Sequence, residues 1–192
     1  MNARILAFSG SGRRDSLNGR LLAAAVTAAE AAGGEVTLIN LGELALPLYD
    51  GDLEDAHGLP AAAARLKRLF IEHDALLIAS PEYNSFFSPM LKNAIDWVSR
   101  PGGDAGSPFA GKVAALVAAS PGALGGIRGL PQVRLLLSNL GVTVLPGQLG
   151  VPKADQAFAA DGRLADAQMQ KNLEQVVGEL VRVTAVLKSC RT

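Results

Sequence analysis

Residues 4–9 read Arg-Ile-Leu-Ala-Phe-Ser and lead directly into Gly-Ser-Gly-Arg-Arg-Asp-Ser-Leu-Asn at 10–18. A short apolar run that ends in serine and empties into a glycine-rich turn marks the exit of a buried strand. The pattern returns twice. Residues 75–80 (ALLIAS) open into PEYNSFFSP at 81–89, and residues 113–120 (VAALVAAS) open into PGALGG at 121–126. Two further runs, 35–40 (EVTLIN) and 142–145 (VTVL), complete a set of five predicted strands.

Three of the runs lack polar/apolar alternation, as strands covered by helices on both faces do. The stretches 18–32, 60–73, 89–100 and 130–140 carry helical patterning, and a last helix is predicted over 164–188. Gly33-Gly34 closes the first helix and Gly141 the fourth, while Pro60 and Pro89 stand where a first-turn proline is tolerated. Strands alternating with helices imply an α/β chain with a doubly wound parallel sheet. A length of 192 residues suits a single domain over 1–192.

Lys plus Arg number 18 and Asp plus Glu number 18, a zero net charge that argues against a nucleic-acid binder. Apolar residues at 49% support a sizeable core. The one cysteine, Cys190, cannot form an internal disulfide, and with His57 and His73 it makes no zinc cluster. The opening MNARILAFSGSGRR lacks the long apolar segment of a secretory signal, and no stretch approaches the roughly 20 apolar residues of a membrane span. The expectation is a cytoplasmic protein without membrane contact. Residues 41–59 contain Glu43, Asp50, Asp52, Glu54 and Asp55 with no Lys or Arg, and read as a solvated acidic surface loop.

In open α/β sheets, ligands sit beyond the carboxyl ends of the strands, where the strand order reverses. In a flavodoxin-like three-layer sandwich with strand order 2-1-3-4-5, strands one, three and four are neighbours, so the three loops would form one site. The first loop offers Ser11 and Ser16 as hydroxyls, Arg13 with Arg14 beside it as guanidiniums, and Asn18 at a helix start. Unpaired N–H groups at a helix amino terminus favour a phosphate. The second loop, Pro81-Glu82-Tyr83-Asn84-Ser85, mixes aromatic and turn residues in a way that suits a flat heteroaromatic ring. The third begins at Ser120, and Gly122, Gly125 and Gly126 let backbone approach a ligand closely.

Two phosphate-binding motifs fail on inspection. The dinucleotide pattern G-x-G-x-x-G needs a third glycine where Asp15 stands, and an acid at the end of the second strand where Asn40 stands. Gly106 to Lys112 imitates a Walker A loop, but the next residue is Val113 and the segment enters a strand.

The three loops resemble the NADPH-dependent FMN reductase family, which includes bacterial chromate and quinone reductases and azobenzene reductases. Gly10 to Asn18 is similar to the family's G-S-x-R-x-x-S-x-N. Pro81-Glu82-Tyr83-Asn84, then Pro89, then Leu91-Lys92-Asn93-Ala94-Ile95-Asp96-Trp97 is similar to P-E-Y-N … L-K-N-A-I-D-W. Ser120, Gly122, Gly125 and Gly126 match S-x-G-x-x-G-G. The resemblance implies bound FMN, its phosphate held by Ser11, Arg13, Ser16 and Asn18. Pro81, Glu82, Tyr83, Asn84 and Ser85 would line the isoalloxazine, mainly through backbone N–H groups. Ser120, Gly122, Gly125 and Gly126 would close its pyrimidine end.

The resemblance further implies that NADPH or NADH passes a hydride to flavin N5. A small-molecule acceptor then takes the electrons: a quinone, an azo compound, a metal oxyanion such as chromate, or free flavin. The flavin carries this chemistry, so no catalytic acid or base is named, and Glu82 is expected to contribute its backbone more than its carboxylate. Arg14 is a candidate partner for a 2′-phosphate. The family also implies a homodimer or homotetramer, with a contact near the helix of Trp97; burial in the core is the other reading of that tryptophan. Ser85-Phe86-Phe87-Ser88 is more aromatic than the family's usual sequence there, which bears on the substrate face. A flavodoxin-type electron carrier and a non-catalytic flavin-binding module share the fold. Zero net charge and Arg13 argue against the first, and the presence of all three loops argues against the second.

Overall fold

The computed structural model describes residues 2–101 and 106–190. Along β1 (Arg4–Ser9), Ile5 and Ala7 join one apolar core while Leu6 and Phe8 join another. Successive side chains of a strand point to opposite faces, so an unbroken apolar run fills two layers at once. The same division holds in β3 (Ala75–Ala79) and β6 (Val113–Ala119), every residue of which is buried. These central strands are flanked by β2 (Glu35–Ile39) and β7 (Thr143–Val151), giving a parallel sheet in the order β2-β1-β3-β6-β7.

Two short strands, β4 (Glu82–Tyr83) and β5 (Phe86–Phe87), form a separate hairpin, so the five main strands have the expected order 2-1-3-4-5. On one face of the sheet lie α1 (Leu17–Ala31) and α6 (Ala167–Ser189). Their Ala25, Ala29, Val177 and Leu180 share a core with Ile5 and Leu77 of the sheet. The opposite face is covered by α3 (Ala61–Glu72), α4 (Pro89–Val98) and α5 (Leu130–Asn139), whose Leu66, Phe70, Ile95 and Leu137 share a core with Phe8 and Ile78. Serine and aspartate caps start three of these five helices. Ser16 Oγ accepts from Gly19 N–H, Ser88 Oγ from Leu91 N–H, and Asp166 Oδ1 from Met169 N–H.

Besides this hairpin, three parts of the chain differ from the sequence expectation. β7 runs to Val151 instead of ending at 145, although it contains Pro146, Gly147 and Gly150. It is an edge strand, where a proline is tolerated, and a bulge absorbs the irregular part: Ala114 pairs with Val144 but Leu116 with Gln148. Residues 41–59 are not simply a solvated loop. They hold a 3-10 turn (Leu41–Leu44) and α2 (Gly51–His57), and the link between these two is tied to α4. There Trp97 Nε1 donates to the Pro47 carbonyl at 2.8 Å, and Tyr49 N–H donates to Asn93 Oδ1 at 2.8 Å. Trp97 is fully buried within the chain, so the core reading of this residue is the one that holds. The last helix starts at Ala167, because Leu164 is held in a turn bridged to Phe158.

At the amino-terminal edge of the sheet, Asp74 joins three parts of the chain. Its carboxylate accepts from Lys188 Nζ at 2.7 Å and from the Arg4 backbone N–H at 3.1 Å. Burial alone would raise its pKa, but the hydrogen bonds from Lys188 and Arg4 prevail and hold it at about 2.

Candidate functional site

The carboxyl ends of β1, β3 and β6 lie side by side, and the backbone ties their exits together. Gly10 N–H donates to the Ala79 carbonyl at 2.9 Å, and Ser80 N–H to the Val117 carbonyl at 2.9 Å. Ser88 Oγ donates to the Gly10 carbonyl at 2.6 Å. Glycine is required at position 10 by this close approach: a Cβ there would stand 2.8 Å from Ser88 Oγ and 3.1 Å from Leu91 Cβ.

Above these exits lies a cavity of about 380 Å³, within the range of small-ligand sites. Ser11, Arg13, Asp15, Ser16 and Asn18 line its first wall, Pro81, Glu82 and Tyr83 its second, and Ser120 with Pro121 its third. The Arg13 guanidinium has no hydrogen-bond or ion-pair partner among the described residues. Ser16 caps α1, whose first-turn N–H groups add partial positive charge near Arg13. An anion fits there.

Asn18 has a different part from a surface donor. It is buried, and its amide exchanges two hydrogen bonds of 2.9 Å with the backbone of Ala119. Glu82 also departs from expectation. Its carboxylate accepts from the N–H groups of Arg128 and Gly129 and from Arg128 Nε, at 2.9, 3.1 and 2.9 Å. The side chain therefore fastens the second loop to the start of α5.

Asn84 and Ser85 do not reach the cavity wall. They form the two-residue tip of the β4–β5 hairpin with φ of 53° and 66°, the left-handed conformation that such a tight turn demands. Gly122, Gly125 and Gly126 also lie off the wall. A Cβ on Gly125 would fall 2.7 Å from the Val151 and Pro152 backbone, so this glycine serves packing against the end of β7. Asp15 and Asp155 are not among the site residues expected from the sequence, and both line the cavity; Asp155 is the distant one. It follows β7, whose true end lay hidden behind Pro146 and Gly147.

Residues 3–156 match the NADPH-dependent FMN reductase family. The chain belongs to that family. An NAD(P)H-dependent FMN reductase of Pseudomonas aeruginosa is 37% identical over 173 residues, with 90% of each chain covered. An NADPH:quinone oxidoreductase of Arabidopsis thaliana is 34% identical over 190 residues, covering 96% of this chain and 93% of the relative. Among solved structures, the flavoenzyme NAD(P)H:(acceptor) oxidoreductase FerB of Paracoccus denitrificans superposes with a TM-score of 0.82 at 31% identity, covering 95% of this chain and 97% of that one. The FMN reductase family is one of oxidoreductases, and the carrier and module readings give way to an enzyme. Among the described residues no helix is long and apolar enough to cross a membrane, and no group of three or more His, Cys, Asp or Glu is placed to hold a metal.

Proposed function

We propose that the cavity over β1, β3 and β6 holds FMN and that the protein transfers electrons from NAD(P)H to a small-molecule acceptor, a quinone foremost. The observation that carries this reading is a conjunction. Arg13, without a side-chain partner among the described residues, stands with the amino terminus of α1 in a cavity that Pro81 to Tyr83 and Ser120 also wall.

Ser11, Arg13 and Ser16 would bind the phosphate, with Asn18 holding the floor in place through Ala119. Pro81, Glu82 and Tyr83 would orient the ring, and the hairpin tip of Asn84 and Ser85 would frame its approach. Ser120 and the glycines at 122, 125 and 126 would shape the remaining side. When bound, FMN supplies hydride acceptance from NAD(P)H and delivery of two electrons to the acceptor. The residues of this chain bind and orient; none is assigned as a proton donor.

Tyr83, Phe86 and Leu124 are large, apolar and exposed. They support a flat aromatic acceptor over an inorganic one, although chromate, azo compounds and free flavin belong in the same panel. The same apolar rim supports assembly as a homodimer or homotetramer, which sedimentation tests.

The deciding experiment is steady-state oxidation of NADPH and NADH by the purified protein with quinones, azo compounds, chromate and free FMN. The expected result is a yellow protein with one FMN per chain and turnover with quinones. A colourless protein that takes up no added FMN overturns the reading.

A further inference from the structure

Packing, more than hydrogen bonding, holds the phosphate loop. Among the described residues no hydrogen bond or ion pair joins residues 12–15 to another element; Arg13 N–H reaches only Ser11 Oγ, at 3.5 Å, inside the loop itself. The neighbours of Gly12 are Met90 of α4 and Gly42 of the 3-10 turn. A Cβ on Gly12 would stand 2.6 Å from Met90 Cε and 3.7 Å from Gly42 Cα. A Cβ on Gly42 would stand 3.2 Å from Gly12 Cα and 3.7 Å from the Gly12 carbonyl oxygen. Two glycines thus let the backbone of the turn rest against the backbone of the loop, one residue before Arg13.

Asn40, at the end of β2, decides where Gly42 stands. Its Oδ1 accepts from Gly42 N–H and its Nδ2 donates to Glu43 Oε1, both at 3.0 Å. The first of these bonds caps the 3-10 turn, and Glu43 N–H donates to the Asn40 carbonyl at 3.2 Å. Leu41, between Asn40 and Gly42, is buried in the core that also holds Phe8 of β1. The turn is therefore pinned to the sheet at Leu41 and closed by the Asn40 amide, and Gly42 meets the loop from that fixed base.

We infer that Asn40 is a positioning residue for phosphate binding: by capping the 3-10 turn it sets Gly42 as the buttress against which Gly12 rests, and so fixes where Arg13 stands. Asn40 touches no part of the flavin in this account and acts through Gly42 and Gly12 alone. The inference rests on the flavin reading above, because the phosphate it serves is that of FMN.

The test compares FMN with riboflavin, which has the same ring and ribityl chain but no phosphate, by fluorescence titration of the full chain freed of flavin. Wild type should bind FMN about tenfold or more tightly than riboflavin. Asn40→Ala should weaken FMN about fivefold or more and leave riboflavin within about twofold. Asn40→Ser should restore FMN affinity to within about twofold of wild type, since a serine hydroxyl can accept from the N–H two residues on, as Ser9 does from Ser11 and Ser120 from Gly122. Gly42→Ala keeps the cap but drives a Cβ toward Gly12, and should reproduce the loss for FMN alone; it decides even if Asn40→Ala does not fold. FMN affinity unchanged in either variant overturns the proposal. So does an equal loss for FMN and riboflavin, the mark of general structural damage, and so does Asn40→Ser as weak as Asn40→Ala. A wild type that takes up neither flavin, or binds both equally, instead defeats the reading of the cavity as a flavin phosphate site.

Discussion

Asn18 and Ala119 lie 101 residues apart and exchange two hydrogen bonds of 2.9 Å, Nδ2 donating to the carbonyl and Oδ1 accepting the N–H. The side-chain amide acts as one more strand residue at the end of β6, fixing the start of α1 against the sheet centre. Replacing it orphans two backbone groups in a buried place. Asn18→Ala is expected to lower the unfolding free energy by about 3 kcal/mol. Asn18→Asp keeps the acceptor but loses the donor and should be destabilising too. Urea unfolding of the three proteins checks this; a change under about 0.5 kcal/mol for both variants would count against the role.

Arg13 has a guanidinium without a partner beside the α1 amino terminus, among the described residues. Arg13→Ala should weaken FMN binding by about 1.5–3 kcal/mol, on the order of tenfold to a hundredfold. Excess FMN should restore turnover. Flavin fluorescence titration measures the loss, and an unchanged dissociation constant refutes the phosphate assignment.

Glu82 joins the second loop to α5 through Arg128 and Gly129. Glu82→Ala leaves those donors without their acceptor and should cost roughly 2 kcal/mol of stability. FMN release should be faster, because Pro81 and Tyr83 flank the freed residue. Stopped-flow release alongside thermal unfolding separates the two effects.

Gly10 and Gly178 should respond oppositely to an added methyl group. Gly10→Ala forces a Cβ against Ser88 Oγ, itself bonded to the Gly10 carbonyl, and should cost about 1–3 kcal/mol. Gly178 lies inside α6 with nothing within 4 Å of an added Cβ, so Gly178→Ala should stabilise by roughly 0.5–1 kcal/mol. Melting temperatures should move in opposite directions.

Asp74 sets an acid limit. Its pKa is about 2 in the folded chain against 3.8 ordinarily, so its contribution is present above pH 3.8 and is lost as pH falls through 2. Asp74→Asn should flatten the decline of stability across that interval. An unaltered acid limb in the variant contradicts the ion-pair account.

The parallel sheet was legible in the sequence because strands buried on both faces need continuous apolar runs, and Ile5 to Phe8, Leu76 to Ile78 and Val113 to Val117 supply them. The gathering of Ser11, Arg13 and Ser16 around one cavity was legible for a similar reason: a helix amino terminus after a strand exit is a local feature with a local signature. The true end of β7 was not. An edge strand can hold Pro146 and a bulge only because its neighbour β6 pairs on one side, which no local pattern reports.

By itself the sequence determined the alternation of strands and helices and the three glycine-rich strand exits, since each follows from residue type and short-range spacing, while the strand order was an expectation of the flavodoxin-like fold that the sheet bears out. Only the tertiary structure decided what Asn18, Glu82, Trp97 and Asp155 do. Their partners are Ala119, Gly129, Pro47 and the cavity wall, brought near by packing across the whole chain. Hydrogen bonds between residues so far apart depend on the assembled backbone, and no spacing along the chain encodes them.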